Sequence, residues 1–205
     1  MRELRALVPA EVAAVLVLAV VPLPEGIPVG IPLLAVASIS RWTRGRTWAE
    51  VFGGGRDAAG IGAAAGLAAL VVGLLIATPL VEALANSSVE WSQFPVVRGN
   101  VSQAVMAAFA VGLVALAMEL ALRGWIVERM LELSPGPATL PILAGALAEA
   151  LVIPGTLGER IGAFAYGIGL GWMYVAGGRS VVAPVCARVT FAVGAVVLEA
   201  LRVVG

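Results

Sequence analysis

Five apolar runs dominate the chain: Ala58 to Val81, Val101 to Leu122, Ala138 to Ile153, Ile161 to Ala176 and Val181 to Leu198. A run of roughly 17 to 25 apolar residues matches the hydrocarbon thickness of a bilayer when coiled as an α-helix. Inside that layer each backbone N–H and C=O has to be satisfied within the segment itself, which leaves helices or closed barrels. The runs therefore predict an all-α, polytopic transmembrane helix bundle, a single integral membrane domain over residues 1–205. Composition agrees: 60% of the 205 residues are hydrophobic, 13% are charged and the mean hydropathy is +1.01. That is more apolar surface than a soluble domain encloses.

The first 42 residues are less regular. Leu7 to Val21 and Ile27 to Ile39 are short, and Pro22, Pro24, Pro28 and Pro32 cut between or into them, since proline lacks a backbone donor and clashes with the preceding turn. Residues 1–42 read as a hairpin of two short spans, giving about seven in all, or as one re-entrant unit, giving six. Arginine placement favours the hairpin. With the N-terminus in the cytoplasm, the inner side receives Arg2, Arg5, Arg41, Arg44, Arg46, Arg56, Arg129 and Arg179, and the outer side Arg98, Arg160 and Arg202. This is the sense of the positive-inside rule, and it puts the C-terminus outside. Met1 to Val21 runs into Pro-Leu-Pro-Glu-Gly without an Ala-x-Ala site, so no cleaved signal peptide is expected.

Residue types exclude most catalytic chemistry. All 13 basic residues are Arg, all 13 acidic residues but Asp57 are Glu, and there is no Lys and no His. Without net charge, nucleic acid is not an expected partner. Lack of His removes Ser-His, Cys-His and ordinary zinc sites; lack of Lys removes a Ser-Lys dyad; a single Asp removes a paired-aspartate protease. Cys186 has no second cysteine to pair with. Neither a metal nor a cofactor is expected. The Arg-over-Lys and Ala/Gly/Val bias points to a GC-rich bacterial genome, and with it the bacterial cytoplasmic (inner) membrane.

Two features read as packing or interface devices. The segment from Arg41 to Arg56 joins arginines to Trp42 and Trp48, either as an ordinary inner loop or as an amphipathic segment on an anionic membrane surface. Trp91, in the outer loop from Glu82 to Asn100, completes the expected interface anchors. Gly62 with Gly66, and Gly167 with Gly171, have the small-xxx-small spacing that lets helix backbones approach closely.

The stretch Ala-Met-Glu-Leu-Ala-Leu-Arg-Gly-Trp-Ile, from Ala117 to Ile126, stands apart. Glu119 and Arg123 are four residues apart, hence on one helix face, and ionisable groups inside a membrane are costly and mark candidate sites.

Met-Glu-Leu-Ala-Leu-Arg-Gly-Trp resembles the first motif of the CPBP family, the CAAX prenyl endopeptidases and bacteriocin-processing proteins, which reads Glu-Glu-x-x-x-Arg followed usually by Gly and an aromatic. Ala-Phe-Ala-Tyr-Gly-Ile-Gly-Leu-Gly-Trp-Met-Tyr-Val-Ala-Gly-Gly-Arg-Ser-Val-Val-Ala-Pro-Val is similar to the small-residue helix and short turn that lead into that family's last motif. Thr-Trp-Ala-Glu-Val-Phe-Gly-Gly-Gly-Arg is similar in layout to the segment before its core. The resemblance covers residues 45–200, the implied CPBP-like core, and is most specific from Met118 to Ala192. In the family the first glutamate acts with later histidines to activate a water. Here Met118 stands in that glutamate's place, leaving Glu119 and Arg123. Glu149 and Ile153 fall at the aromatic and histidine positions of the second motif, and Arg188 and Ala192 at the histidine and asparagine of the third.

With no general base left in those places, the resemblance implies a pseudoenzyme. It also implies that Glu119, Arg123, Glu149 and Arg188 form a neutral buried ion cluster where the active site would be; the alternative has Arg188 snorkelling to a headgroup and Glu149 facing the outer vestibule. The function expected is that of an accessory or regulatory subunit of a larger envelope complex such as a transporter, with the lipid bilayer and membrane proteins as partners. It would grip them through the Gly/Ala faces of the third and sixth spans. The alternatives are an active glutamate-dependent CPBP-type protease and a small transporter or lipid-binding bundle.

Overall fold

The computed structural model describes residues 28–85, 94–133, 136–153 and 155–203, together with residues 10, 11, 14, 15, 17 and 18. Trp91 and most of the expected span from Leu7 to Val21 lie outside the described residues. Among the described residues all regular structure is helical: α1 (Gly30–Trp42), α2 (Arg56–Val72), α3 (Thr78–Ala85), α4 (Val101–Ala121), α5 (Glu128–Leu133), α6 (Thr139–Val152), α7 (Leu157–Ala176) and α8 (Val182–Ala200), with short 3₁₀ turns at Trp48–Val51 and Pro95–Val97. Widened π turns at Gly73–Ala77 and Leu122–Val127 join α2 to α3 and α4 to α5.

Among the described residues three helices are long and apolar enough to cross a membrane: Arg56–Leu80, Val101–Leu133 and Val182–Ala200, of 25, 33 and 19 residues. That is fewer than the seven spans expected. With 14 residues, α6 is about 21 Å long at 1.5 Å per residue, short of a hydrocarbon layer of about 30 Å; eight of its residues are buried, as in a core helix. The 13-residue α1 is shorter still. Length is not what α7 lacks, but Glu159 and Arg160 in its first turn and its five glycines dilute its hydropathy. The helix that begins at Val101 runs on past Leu122, the end of the apolar run, to Leu133; Arg123, Glu128, Arg129 and Glu132 in that extension all have ion-pair partners.

Glycines decide how the helices meet. A Cβ on Gly62 or Gly66 would overlap the carbonyl oxygen of Ala183 or Ala187, so α2 lies backbone to backbone along α8 and parallel to it. A Cβ on Gly167 would stand 3.0 Å from the Ala146 Cα, and one on Gly171 3.0 Å from Ile142 Cγ2, which sets α7 antiparallel against α6. Both small-residue faces are thus occupied within the chain. This is the helix-packing role read from their spacing, and it leaves a partner helix to meet some other face. At one end Gly99 N–H donates to the Ala200 carbonyl (3.2 Å), so α4 begins where α8 ends; at the other, Val181 N–H donates to the Val51 carbonyl (2.9 Å).

The two described tryptophans of the Arg41 to Arg56 segment differ. Trp42 is 80% exposed. Trp48 is part-buried: its Nε1 donates to Ser38 Oγ (3.1 Å), the Arg41 guanidinium lies 4.9 Å from its ring centroid, and its ring edge packs on Gly124. Next to it, Thr47 N–H donates to Glu50 Oε1 (2.7 Å). That hydrogen bond holds the Glu50 carboxyl below its ordinary range, with Arg46 adding to the effect.

Replacing Gly66 by Ala should cost about 1–3 kcal/mol, because the helices must separate. Gly112→Ala, where a Cβ meets nothing within 4 Å, should leave thermal unfolding in detergent unchanged or slightly raised. A depressed carboxyl stabilises the fold fully above its unfolded pKa and loses that contribution as pH falls through the folded value. An NMR titration of Glu50 should therefore show a midpoint below that of an unfolded reference peptide.

Candidate functional site

Glu119 lies near the C-terminal end of α4, and Arg123 one turn on, inside the π turn. Glu149 belongs to the last turn of α6, and Arg188 to the second turn of α8. The structure brings these four side chains together as a closed ring of alternating charge. Arg123 Nη1 donates to Glu119 Oε1 (3.1 Å) and Arg123 Nη2 to Glu149 Oε2 (2.6 Å). Arg188 closes the ring, its Nε on Glu119 Oε1 and its Nη2 on Glu149 Oε1. Arg123 Nη2 also donates to the Gly167 carbonyl (2.8 Å), which ties in α7. A side chain at 167 would press on the ring, since its Cβ would stand 2.9 Å from Glu149 Oε2. The Arg188 guanidinium lies 5.5 Å from the Tyr166 ring centroid.

Glu119, Arg123 and Glu149 have no exposure at all, and the Arg188 side chain is 12% exposed. An isolated charge there would carry a desolvation cost of several kcal/mol. Two carboxylates alternating with two guanidiniums sum to zero and give each charge two opposite neighbours. Glu119 Oε2 and Arg123 Nε nonetheless make no hydrogen bond. Arg188 turns inward to the ring instead of snorkelling, and Glu149 faces inward with it.

A general base needs a carboxylate that is free to take a proton and within reach of a water. Both carboxylates here are pinned by two arginines in a place solvent does not reach. Met118 is buried, with its Cγ 3.1 Å from where a Gly30 Cβ would stand. Ile153 ends α6 and Ala192 lies mid-α8; both are half-buried and apolar. None of these three adds a polar side-chain atom to the ring. Among the described residues, no group of three or more His, Cys, Asp or Glu is placed to hold a metal.

A second set of charges was not anticipated. Glu11 accepts from Ser40 Oγ (2.8 Å), Arg129 Nε (3.4 Å) and Arg44. Glu132 pairs with Arg129 and with Arg46 (3.4 Å), and Glu128 accepts from Tyr174 Oη (2.8 Å) and pairs with Arg179 (3.5 Å). Arg41 Nη1 donates to the Gly124 carbonyl (3.0 Å) and Trp125 Nε1 to Ser40 Oγ (2.7 Å), so α1 is fastened to the two residues that follow Arg123. Only the helical spacings Arg46–Glu50 and Arg129–Glu132 announce any of this in the sequence. Glu11 and Arg129 are 118 positions apart, and no local pattern links them. At the opposite end Glu199, 1% exposed, accepts from Phe94 N–H (3.0 Å) and pairs with Arg98 (3.7 Å).

Comparison with family models, curated proteins and solved structures gave no match.

Glu119→Ala and Arg188→Ala should each destabilise the protein by about 3–5 kcal/mol, the cost of leaving a buried partner charge uncompensated. The double variant should lose clearly less than the sum in thermal unfolding in detergent; additive losses would show that the two side chains are not coupled.

Proposed function

We propose that this chain is a CPBP-like membrane protein that has lost hydrolysis and works as a non-catalytic accessory or regulatory subunit of a larger complex, such as a transporter, in the bacterial cytoplasmic membrane. One observation carries the reading: Glu119, Arg123, Glu149 and Arg188, the polar residues at the motif positions, meet at one point from three separate helices and consume one another's charge. Convergence of the motif positions supports the family likeness. Their mutual neutralisation supports the loss of chemistry, because neither carboxylate is left to activate a water.

The proposed topology keeps seven passes, the N-terminus inside and the C-terminus outside. It is supported by the common end shared by Arg41, Arg44, Arg46, Arg129 and Arg179, opposite Arg98, the distribution the positive-inside rule favours. Short α1 and α6 would then cross with one face packed on their neighbours and the other, carrying Ile31, Ile39, Leu140 and Leu147, toward lipid. The glycine faces being occupied, a partner helix would meet the outer face of α4, where Val101, Val105, Phe109 and Leu113 recur every fourth residue and are exposed.

Affinity purification after crosslinking, at native abundance and in mild detergent, should recover the same membrane-protein partner repeatedly. Recovery of the chain alone would overturn the subunit reading. Per folded molecule, Glu119→Gln should retain that partner and its activity, whereas a glutamate-dependent hydrolase would lose function.

A further inference from the structure

Every fourth residue of α2 seats it on α8: Gly62 against Ala183, Gly66 against Ala187 and Leu70 against Gly194. The stripe ends there. From Val71 to Ala85 none of the described side chains is buried, and Val71, Leu75, Ile76 and Leu80 are each more than half exposed. The backbone changes in the same stretch: Thr78 N–H donates to the Gly73 carbonyl, five residues back, in the π turn Gly73–Ala77. Pro79 accounts for it. It has no N–H to give the Leu75 carbonyl, and its ring would clash with that carbonyl in a regular helix, so one wider turn relieves the chain. Prolines and π turns are the places where helices bend.

Length gives the bend a use. Arg56–Leu80 has 25 residues and Val182–Ala200, beside it, has 19, about 37 Å and about 28 Å at 1.5 Å per residue. A hydrocarbon layer of about 30 Å fits the second and is too thin for the first. An overlong helix tilts, bends or thickens the bilayer around it. Tilting the whole of α2 would pull Gly62 and Gly66 off the α8 backbone, against which neither has room for a Cβ. We propose that α2, held on α8 as far as Leu70, adapts to bilayer thickness by swinging the segment from Gly73 to Ala85 about the π turn. A thin bilayer bends this arm over, and a thick one extends it. The inference rests on the membrane reading and holds with or without a protein partner.

The test places spin labels at Leu147 of α6 and at either Ala83, beyond the turn, or Leu67, before it, all three exposed. The full chain, with Cys186 replaced by Ala, is reconstituted in bilayers of dimyristoleoyl- or dierucoyl-phosphatidylcholine, one thin and one thick. From Gly73 to Ala83 the arm is about 15 Å long, so a swing of about 20° carries its end about 5 Å. The Ala83–Leu147 distance should differ by about that amount between the two lipids, while the Leu67–Leu147 distance stays constant. Pro79→Ala, which restores the missing donor and lets the α-helix run on, should remove most of the difference and leave the pair before the turn unchanged. Equal distances in the two bilayers, equal changes for both pairs, or an undiminished change in Pro79→Ala would each overturn the proposal. No partner enters the measurement, so its outcome is independent of the subunit reading.

Discussion

The ring of Glu119, Arg123, Glu149 and Arg188 is the interaction on which the rest of the bundle depends. Apolar side chains gain little by leaving a hydrocarbon surrounding, so helices in a bilayer are held by close backbone packing and by polar contacts. The ring supplies the polar contact for α4, α6 and α8 at once, and the Gly167 carbonyl adds α7. Its geometry also fixes register, because a one-residue slip turns a helix by about 100° and would carry a charge out of the ring into apolar surroundings. Glycine completes the arrangement. Gly62 and Gly66 bring α2 onto α8, and Gly167 leaves room for Glu149.

Much of this was legible in the sequence. Apolar runs announced α2, α4 and α8, and four-residue spacing put Glu119 and Arg123 on one face. Small-residue spacing found the packing faces but could not say which helices they join, since a glycine pattern names no partner. Hydropathy could not give helix lengths: α6 has 14 residues, fewer than the apolar run that announced it, and the Val101 helix continues past Leu122 through Arg129 and Glu132, which pair with each other. The π turn was unreadable. It carries Arg123 into the ring and aims the Gly124 carbonyl at Arg41, while Gly124 leaves the space that Trp48 fills. The contacts of Trp48 with Ser38, Arg41 and Gly124 were equally unreadable, being tertiary.

Three successive residues of the π turn have separate attachments. Arg123 belongs to the ring, Gly124 accepts from Arg41 and Trp125 donates to Ser40. The charged belt at the Arg41 end and the buried ring are therefore parts of one connected frame. In the subunit function proposed above, such a frame would hold one arrangement against a neighbour; a buried ion pair adds little net stability by itself, whereas breaking it is costly.

The most direct test of the central claim is the distance distribution between spin labels placed at Leu147 on α6 and Val197 on α8, both exposed, in a background with Cys186 replaced by Ala. If the ring fixes how these helices meet, the intact protein gives one narrow distribution, and Arg188→Met, which keeps an unbranched flexible side chain but removes its charge, gives a broad or multiple one. An equally narrow, unshifted distribution in Arg188→Met would contradict the account.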